Sequence, residues 1–158
     1  MNYKIIDNFL TKEQNKLIEK TLSANTFPWY YVDGIIENDD HYHLNHSFML
    51  AGKVNSSYFP IIEPLLKKIK YKNILRIRSN LTLKHVKKIT YSKHRDDYVP
   101  HKVLLYYVNS TNAGTFLEKK KIQCKRNRAV IFDGSIWHSP IAQTDTKTRI
   151  VINVTYQI

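Results

Sequence analysis

The chain has 158 residues and a formal charge of +12, from 25 Lys and Arg against 13 Asp and Glu. That length predicts one domain over 1–158, large enough to bury a core without staples. The single cysteine, Cys124, excludes an internal disulfide, and 11 Tyr with 42% hydrophobic residues argue against disorder.

The first residues, Met1–Asp7, carry no long apolar segment. No run approaches the roughly 20 apolar residues of a membrane span. A cytoplasmic protein with no membrane partner is therefore expected. The positive charge suits nucleic acid or another anionic surface. The basic residues are scattered, however, and abundant Lys, Asn and Ile with only 4 Gly also fit a compositional bias. No motif speaks to oligomeric state.

Ile5, Ile6, Phe9 and Leu10 predict a short strand running into a helix. Thr11 and Gln14 fit a capping box, after which Leu17, Ile18 and Leu22 recur at helical spacing. Asn25–Pro28 ends that helix and opens an aromatic strand, Trp29–Val32. The polar stretch 33–55 reads as loop or edge strand. Its His41, His43 and His46 offer metal-binding nitrogens, but no Cys or spaced carboxylate completes a zinc site, and a substrate-facing lid is the alternative. Ser56 or Ser57 is expected to cap a second helix carrying Ile61, Ile62, Leu65, Leu66 and Ile69. Pro60 suits its first turn, and Pro64 shortens or bends it.

From Ile74 the period becomes that of strands. Candidates are Ile74–Leu83, Val86–Ser92, Val103–Val108, Thr115–Glu118, Ala129–Phe132, Ile136–Ser139 and Arg149–Tyr156. Turns fall at 109–114 and at Asp133-Gly134, and Lys119–Lys121 reads as a solvated hairpin edge. Helices followed by about eight short strands predict an α+β fold. A helical N-terminal part over about 1–73 would pack on a double-stranded β-helix, or jelly-roll, core over about 74–158.

His94 and Asp96 form an H-x-D pair where a strand runs into the loop 97–100. Alone, such a pair is as readily a buried His bonded to Asp. His138 follows the Asp133-Gly134 turn, and Arg149 comes eleven residues later at the start of the last strand. Two His and one carboxylate are the donors of a non-haem Fe(II) site with open positions, and an Arg nearby can grip a carboxylate in a bidentate fork. Asp97 is the rival to Asp96, or a partner that orients His94 or His101. Asn153 shares the strand parity of Arg149 and is expected to face the same cavity. Cys124, before Lys125 and Arg126, reads as incidental.

Several phrases carry a resemblance through most of the chain. They are Ile5–Leu10, Arg78-Ser79-Asn80-Leu81, the H-x-D loop, Leu105–Asn109, Gly114-Thr115-Phe116, Asn127–Phe132 and the distal His138 with Arg149. Together they resemble the Fe(II)- and 2-oxoglutarate-dependent dioxygenases, in particular small prolyl-4-hydroxylase-like members. The resemblance implies that His94, Asp96 and His138 bind Fe(II) and that Arg149 clamps the distal carboxylate of 2-oxoglutarate. Tyr107 matches a Tyr that bonds the same carboxylate, and Asn80 a pocket-lining Asn; as residues, both also read as structural. Thr82 stands where several relatives have Tyr, a departure that leaves the cosubstrate contacts of this strand in doubt. The implied reaction is an O2-dependent hydroxylation coupled to decarboxylation of 2-oxoglutarate, with ascorbate as a supporting reductant. A peptidyl or free amino acid is the expected substrate. The alternatives are nucleic acid modified by the same chemistry, and a catalytically silent jelly-roll binding module.

Overall fold

A computed structural model gives the architecture and describes residues 3–34 and 41–158. In chain order the strands are β1 (Tyr3–Ile6), β2 (Tyr30–Val32), β3 (His43–Leu50), β4 (Lys53–Val54), β5 (Asn73–Leu83), β6 (Lys102–Tyr107), β7 (Gly114–Leu117), β8 (Lys120–Gln123), β9 (Arg128–Asp133), β10 (His138–Ile141) and β11 (Thr148–Gln157). Helix α1 covers Lys12–Leu22, and α2 covers Glu63–Leu66 after a 3-10 turn at Phe59–Ile61.

The last strand lies at the middle of the larger sheet. β11 is rich in β-branched residues, which suit a packed pleated surface, and it pairs antiparallel with β5 on one side and β6 on the other. The sheet runs β1-β9-β6-β11-β5-β3-β2, with β4 attached to β3. A second sheet runs β10-β7-β8. Isolated bridges at Thr90–Ile141 and His94–His138 lay the chain before the H-x-D pair along the outer side of β10. Two antiparallel sheets of this order, with strands alternating between them, form the jelly roll expected from the sequence.

The side-chain period of two divides β11 between two environments. Ile150, Ile152, Val154 and Tyr156 point outward into a core shared with Ile77, Leu104, Tyr106 and the Ile18 and Leu22 stripe of α1. Each such fully buried aliphatic side chain contributes about 1.5–3 kcal/mol. Val151 points inward, where Val103, Leu105, Tyr107, Val130 and Phe132 meet Leu117 and Ile122 of the second sheet. Arg149 and Asn153 share that inward face, and there the apolar packing gives way to a cavity.

α1 begins as its sequence predicts. Gln14 N–H donates to Thr11 Oγ1 at 3.2 Å and Thr11 N–H to Gln14 Oε1 at 3.0 Å, a reciprocal cap that satisfies two helix-end donors. The helix is tied to the sheet by a buried polar chain. Asn15 Nδ2 donates to Tyr106 OH at 2.8 Å, and Tyr106 OH donates to Asn127 Oδ1 at 3.0 Å. Asn127 also exchanges bonds with the Leu10 backbone, and its φ of 59° is a left-handed conformation that Asn tolerates.

Three expectations change. Within 41–55 the chain is mostly sheet: β3 runs eight residues, pairing with β5 and β2 rather than lying as an exposed loop, so the N-terminal part contributes strands as well as helices. The second helix is broken into a 3-10 turn and a single α-turn, since Pro60 and Pro64 each remove a backbone donor within five residues. Ser56 Oγ accepts from Tyr58 N–H at 3.1 Å, a local turn rather than a helix cap. The expected strand Val86–Ser92 does not form as a ladder. Val86 is 97% exposed and its Lys neighbours offer no face to bury, so this segment meets β10 through isolated bridges. Among the described residues no helix is long and apolar enough to cross a membrane.

Candidate metal centre

His138 is the first residue of β10, and His94 lies directly across from it. The two exchange backbone hydrogen bonds, His94 N–H to His138 O at 2.9 Å and His138 N–H to His94 O at 3.0 Å. Side chains of directly opposed residues leave the sheet on one face. Their rings accordingly stand 4.3 Å apart between centroids. Asp96, two residues on, swings back beneath them, with Asp96 Oδ2 at 3.5 Å from His138 Nε2. That spacing fits two donors sharing one ion at roughly 2.1 Å each. One donor atom from each of His94, Asp96 and His138 lies within 4.8 Å of the others.

The rings are held by the nitrogens that face away from the group. His94 Nδ1 is 3.1 Å from Ser92 O and His138 Nδ1 is 3.3 Å from Ile136 O. A carbonyl can only accept, so Nδ1 is the donor in both rings, and in the neutral tautomer this leaves each Nε2 lone pair for a cation. Burial pushes the His138 imidazole below its ordinary value, against the pull of Asp96, a shift toward the neutral form that a metal site requires. Burial pushes the Asp96 carboxyl up. His138, Arg76, Asn153 and His94 together outweigh that and leave it below the ordinary value, so the carboxylate is charged.

Asp96 is fixed from the larger sheet. Arg76 Nη2 donates to Asp96 Oδ1 at 2.9 Å, and Asn153 Nδ2 lies 3.1 Å from each carboxylate oxygen. Asn153 faces the cavity as its parity predicts. Arg76 escaped the sequence reading, although Arg76, Arg78, Asn80 and Thr82 form a period-two polar stripe on β5 that signals a wet inner face. Asp97 is not a second ligand and orients neither His. Its exposed carboxylate accepts from Tyr98 N–H at 2.7 Å and closes a local turn. His101 packs instead against Gly134, where any Cβ would collide with its ring.

These groups line a cavity of about 190 Å³ between the sheets, with Asn80, Thr82, Thr115 and Arg149 further along its wall. Arg149 is 2% exposed. Its Nη2 donates to Gly114 O and Thr115 Oγ1 at 3.2 Å each, while its buried Nε has no partner. Among the described residues no carboxylate pairs with it. A buried guanidinium without a counter-ion is costly, and the orphaned Nε fits a carboxylate taken up from outside. Tyr107 lies behind this wall. Its hydroxyl donates to Thr115 Oγ1 at 2.9 Å, its ring is 5.7 Å from Arg149 Cζ, and burial pushes it up to about 12, so it remains a donor. Thr82 Oγ1 is held by Gln143 at 3.0 Å.

The three His of the 41–46 stretch do not converge. His46 is buried among Phe27 and Phe48, with its ring nitrogens 2.8 Å from Pro28 O and 2.7 Å from Ser56 Oγ. His43 lines the cavity from β3, and His41 packs against Tyr91. Of the lid expected here, residues 35–40 lie outside the described residues. Cys124 is buried, its thiol 3.3 Å from Asn109 O, with no reactive setting.

No protein-family model and no curated protein matches the chain. Solved structures do. A prolyl-4-hydroxylase from Pseudomonas putida aligns over 99% of this chain and 92% of its own, with 12% identity and a TM-score of 0.66. A 2OG-Fe(II) oxygenase family oxidoreductase from Burkholderia pseudomallei aligns over 99% and 85%, with 12% identity and a TM-score of 0.68. A prolyl hydroxylase from Trichoplax adhaerens, solved with a hypoxia inducible factor peptide fragment, aligns over 99% and 83%, with 13% identity and a TM-score of 0.65. The chain has the double-stranded β-helix fold of the 2-oxoglutarate- and Fe(II)-dependent oxygenases, with a His-Asp-His group at its cavity.

Proposed function

We propose that this protein is an Fe(II)- and 2-oxoglutarate-dependent oxygenase that hydroxylates an amino acid, free or within a peptide, and that its 158 residues act as one catalytic domain. The observation that carries the proposal is the pairing of two sites in one cavity. His94 and His138 with the carboxylate of Asp96 form a donor set of the facial-triad type at one end. An unpaired, buried Arg149 guanidinium waits at the other.

Each residue has a separate task. His94, Asp96 and His138 hold the metal. Arg149 takes the far carboxylate of 2-oxoglutarate in its fork, with the Tyr107 phenol, once turned from Thr115 Oγ1, as a second donor and Asn80 on the adjoining wall. Bound Fe(II) supplies the chemistry, coupling decarboxylation of 2-oxoglutarate to oxygen insertion into a C–H bond. The apolar face of Leu105 and Val151 on the same cavity keeps water from competing there. No side chain is needed as a general base. Ascorbate serves by keeping the iron reduced.

The amino-acid preference rests on the fold neighbours, which include a prolyl hydroxylase holding a peptide. The test is Fe(II)-dependent release of succinate from 2-oxoglutarate, run with proline-containing peptides and free amino acids. Turnover that depends on both Fe(II) and one of these compounds is expected. No Fe(II)-dependent turnover under any condition would favour a silent binding module. Turnover stimulated by none of these compounds would remove the amino-acid assignment and leave the chemistry.

A further inference from the structure

The cavity holds more positive charge than the proposed chemistry uses. Four arginines line it, Arg76, Arg78, Arg95 and Arg149, against one carboxylate, Asp96, among the described residues. Arg76 is spent on Asp96 at 2.9 Å. Arg149 lies deep and, on the reading above, meets the far carboxylate of 2-oxoglutarate. The other carboxylate of that diacid faces the metal. Arg78 is left over.

Arg78 sits on β5 opposite Asn153, the residue that holds Asp96, so it stands level with the metal donors. Arg149 pairs with Thr82, four residues along β5, or about 13 Å at the rise of a strand. Arg78 therefore flanks the metal away from the Arg149 end. On its other side β5 pairs with β3, Arg78 opposite Ser47, and β3 contributes His43 to the cavity wall. Arg78 is half-buried, and among the described residues its guanidinium has no ion pair or hydrogen bond. Burial and the neighbouring Arg76 charge act against its ionised form, and the Asp96 carboxylate, already paired with Arg76, offsets them only in part. A charge kept in such a place without a partner points to a ligand that supplies one. At the rim, Arg95 lies 4.8 Å and Lys93 5.8 Å from the Trp137 ring, adding exposed cations on the approach.

We propose that Arg78 anchors an anionic group, a carboxylate or a phosphate, carried by the substrate itself. The inference rests on the oxygenase reading and narrows its substrates to those with an oxyanion near the carbon to be oxidised. A guanidinium fork takes either anion with two parallel hydrogen bonds. Arg78 is thus a specificity-determining residue. Neutral side chains in the interior of a peptide are the poorer substrates, and free amino acids or acidic and phosphorylated residues the better ones.

The test is calorimetric and needs no turnover. Protein loaded with Mn(II) and saturating 2-oxoglutarate, so that Arg149 is occupied, is titrated with acetate, inorganic phosphate and neutral acetamide. One saturable anion site is expected, with acetamide silent, and the tighter of the two anions assigns the class. Arg78→Gln should weaken that site by about tenfold or more, the scale of a lost charge-assisted pair, while the 2-oxoglutarate affinity changes by less than about threefold. Arg78→Lys keeps the charge but loses the fork and should fall between the two, which carries the test if the Gln variant does not fold. Absence of a saturable site, or one that both variants leave intact, overturns the proposal. A large loss of 2-oxoglutarate affinity in Arg78→Gln also overturns it, assigning Arg78 to the cosubstrate. If wild-type protein takes up neither Mn(II) nor 2-oxoglutarate, the first titration shows that the oxygenase reading itself has failed, before any probe anion is added.

Discussion

His94 and His138 are joined backbone to backbone by two hydrogen bonds of 2.9 and 3.0 Å, although 43 residues of sequence lie between them. The pairing puts both imidazoles on one side of the smaller sheet, and the Ser92 and Ile136 carbonyls turn both Nε2 atoms toward Asp96. The donor set is therefore built by main-chain geometry before any metal arrives.

This arrangement makes ligand loss separable from unfolding. His138→Ala keeps the backbone pair and removes one donor. Metal affinity should fall by more than about 100-fold, the upper end of what outer groups alone contribute, and 2-oxoglutarate turnover should vanish. Metal titration and far-UV circular dichroism together check it. A folded variant with full metal affinity would overturn the ligand assignment.

Asn153 tests the support of the site from the larger sheet. Its amide lies 3.1 Å from both oxygens of Asp96 and shares that carboxylate with Arg76. Asn153→Leu leaves a similar volume but no donor. Metal affinity should drop about 10–100-fold, as for other outer hydrogen bonds, with a smaller change in the affinity for 2-oxoglutarate. A variant whose metal titration overlays the wild type would mean that Arg76 alone positions Asp96.

The contrast between Asp96 and Arg76 shows what was readable before the fold. α1 was written in local chemistry, since the Thr11–Gln14 box is a contact within one turn. β11 was readable because Ile150, Val151, Ile152 and Val154 strongly favour a packed strand. His94, Asp96, His138 and Arg149 were found by spacing. Arg76 and Arg78 were not, because a guanidinium on a strand reads as a solvated face unless the opposite strand is known to carry Arg149 and Asn153. The 41–50 stretch reads only as loop or edge strand for a related reason. Its His and Asn residues are poor strand formers alone, and β3 exists because its neighbour β5 presents an unpaired edge. The break at Pro60 and Pro64 was visible as chemistry, but its severity depended on how few residues lie between them.

Arg149 offers a test through stability. In the absence of 2-oxoglutarate, Arg149→Met removes a buried charge that has no counter-ion among the described residues. Its thermal stability should equal or exceed that of the wild type. With 2-oxoglutarate at about 100 times its dissociation constant, the metal-loaded wild type should gain about 2.7 kcal/mol. The variant should gain far less at the same concentration. Equal stabilisation of both proteins in thermal denaturation would place the carboxylate clamp elsewhere.

The metal-free protein should also weaken as pH falls below neutrality, and the sign follows from three His residues, His138 and His46 buried and His85 half-buried. Burial lowers His138, His46 and His85 below the ordinary 6.5. Between the lowered folded values and 6.5 the unfolded chain binds more protons than the folded one, so unfolding free energy rises with pH through that window and levels off above it. Asp96 acts in a lower range: its folded carboxyl lies below 3.8, so its contribution is present above 3.8 and is lost as pH falls through the folded value. Denaturant midpoints measured from pH 5 to 8 at fixed ionic strength should therefore climb to about pH 6.5 and then flatten. His46 sits on the opposite face of β3 from the cavity-lining His43, away from the metal donors. His46→Gln cannot take up the proton, and it should flatten part of the climb while leaving metal affinity unchanged. A midpoint that is highest at pH 5, or a slope untouched in His46→Gln, would show that buried neutral histidines do not govern the acid limb.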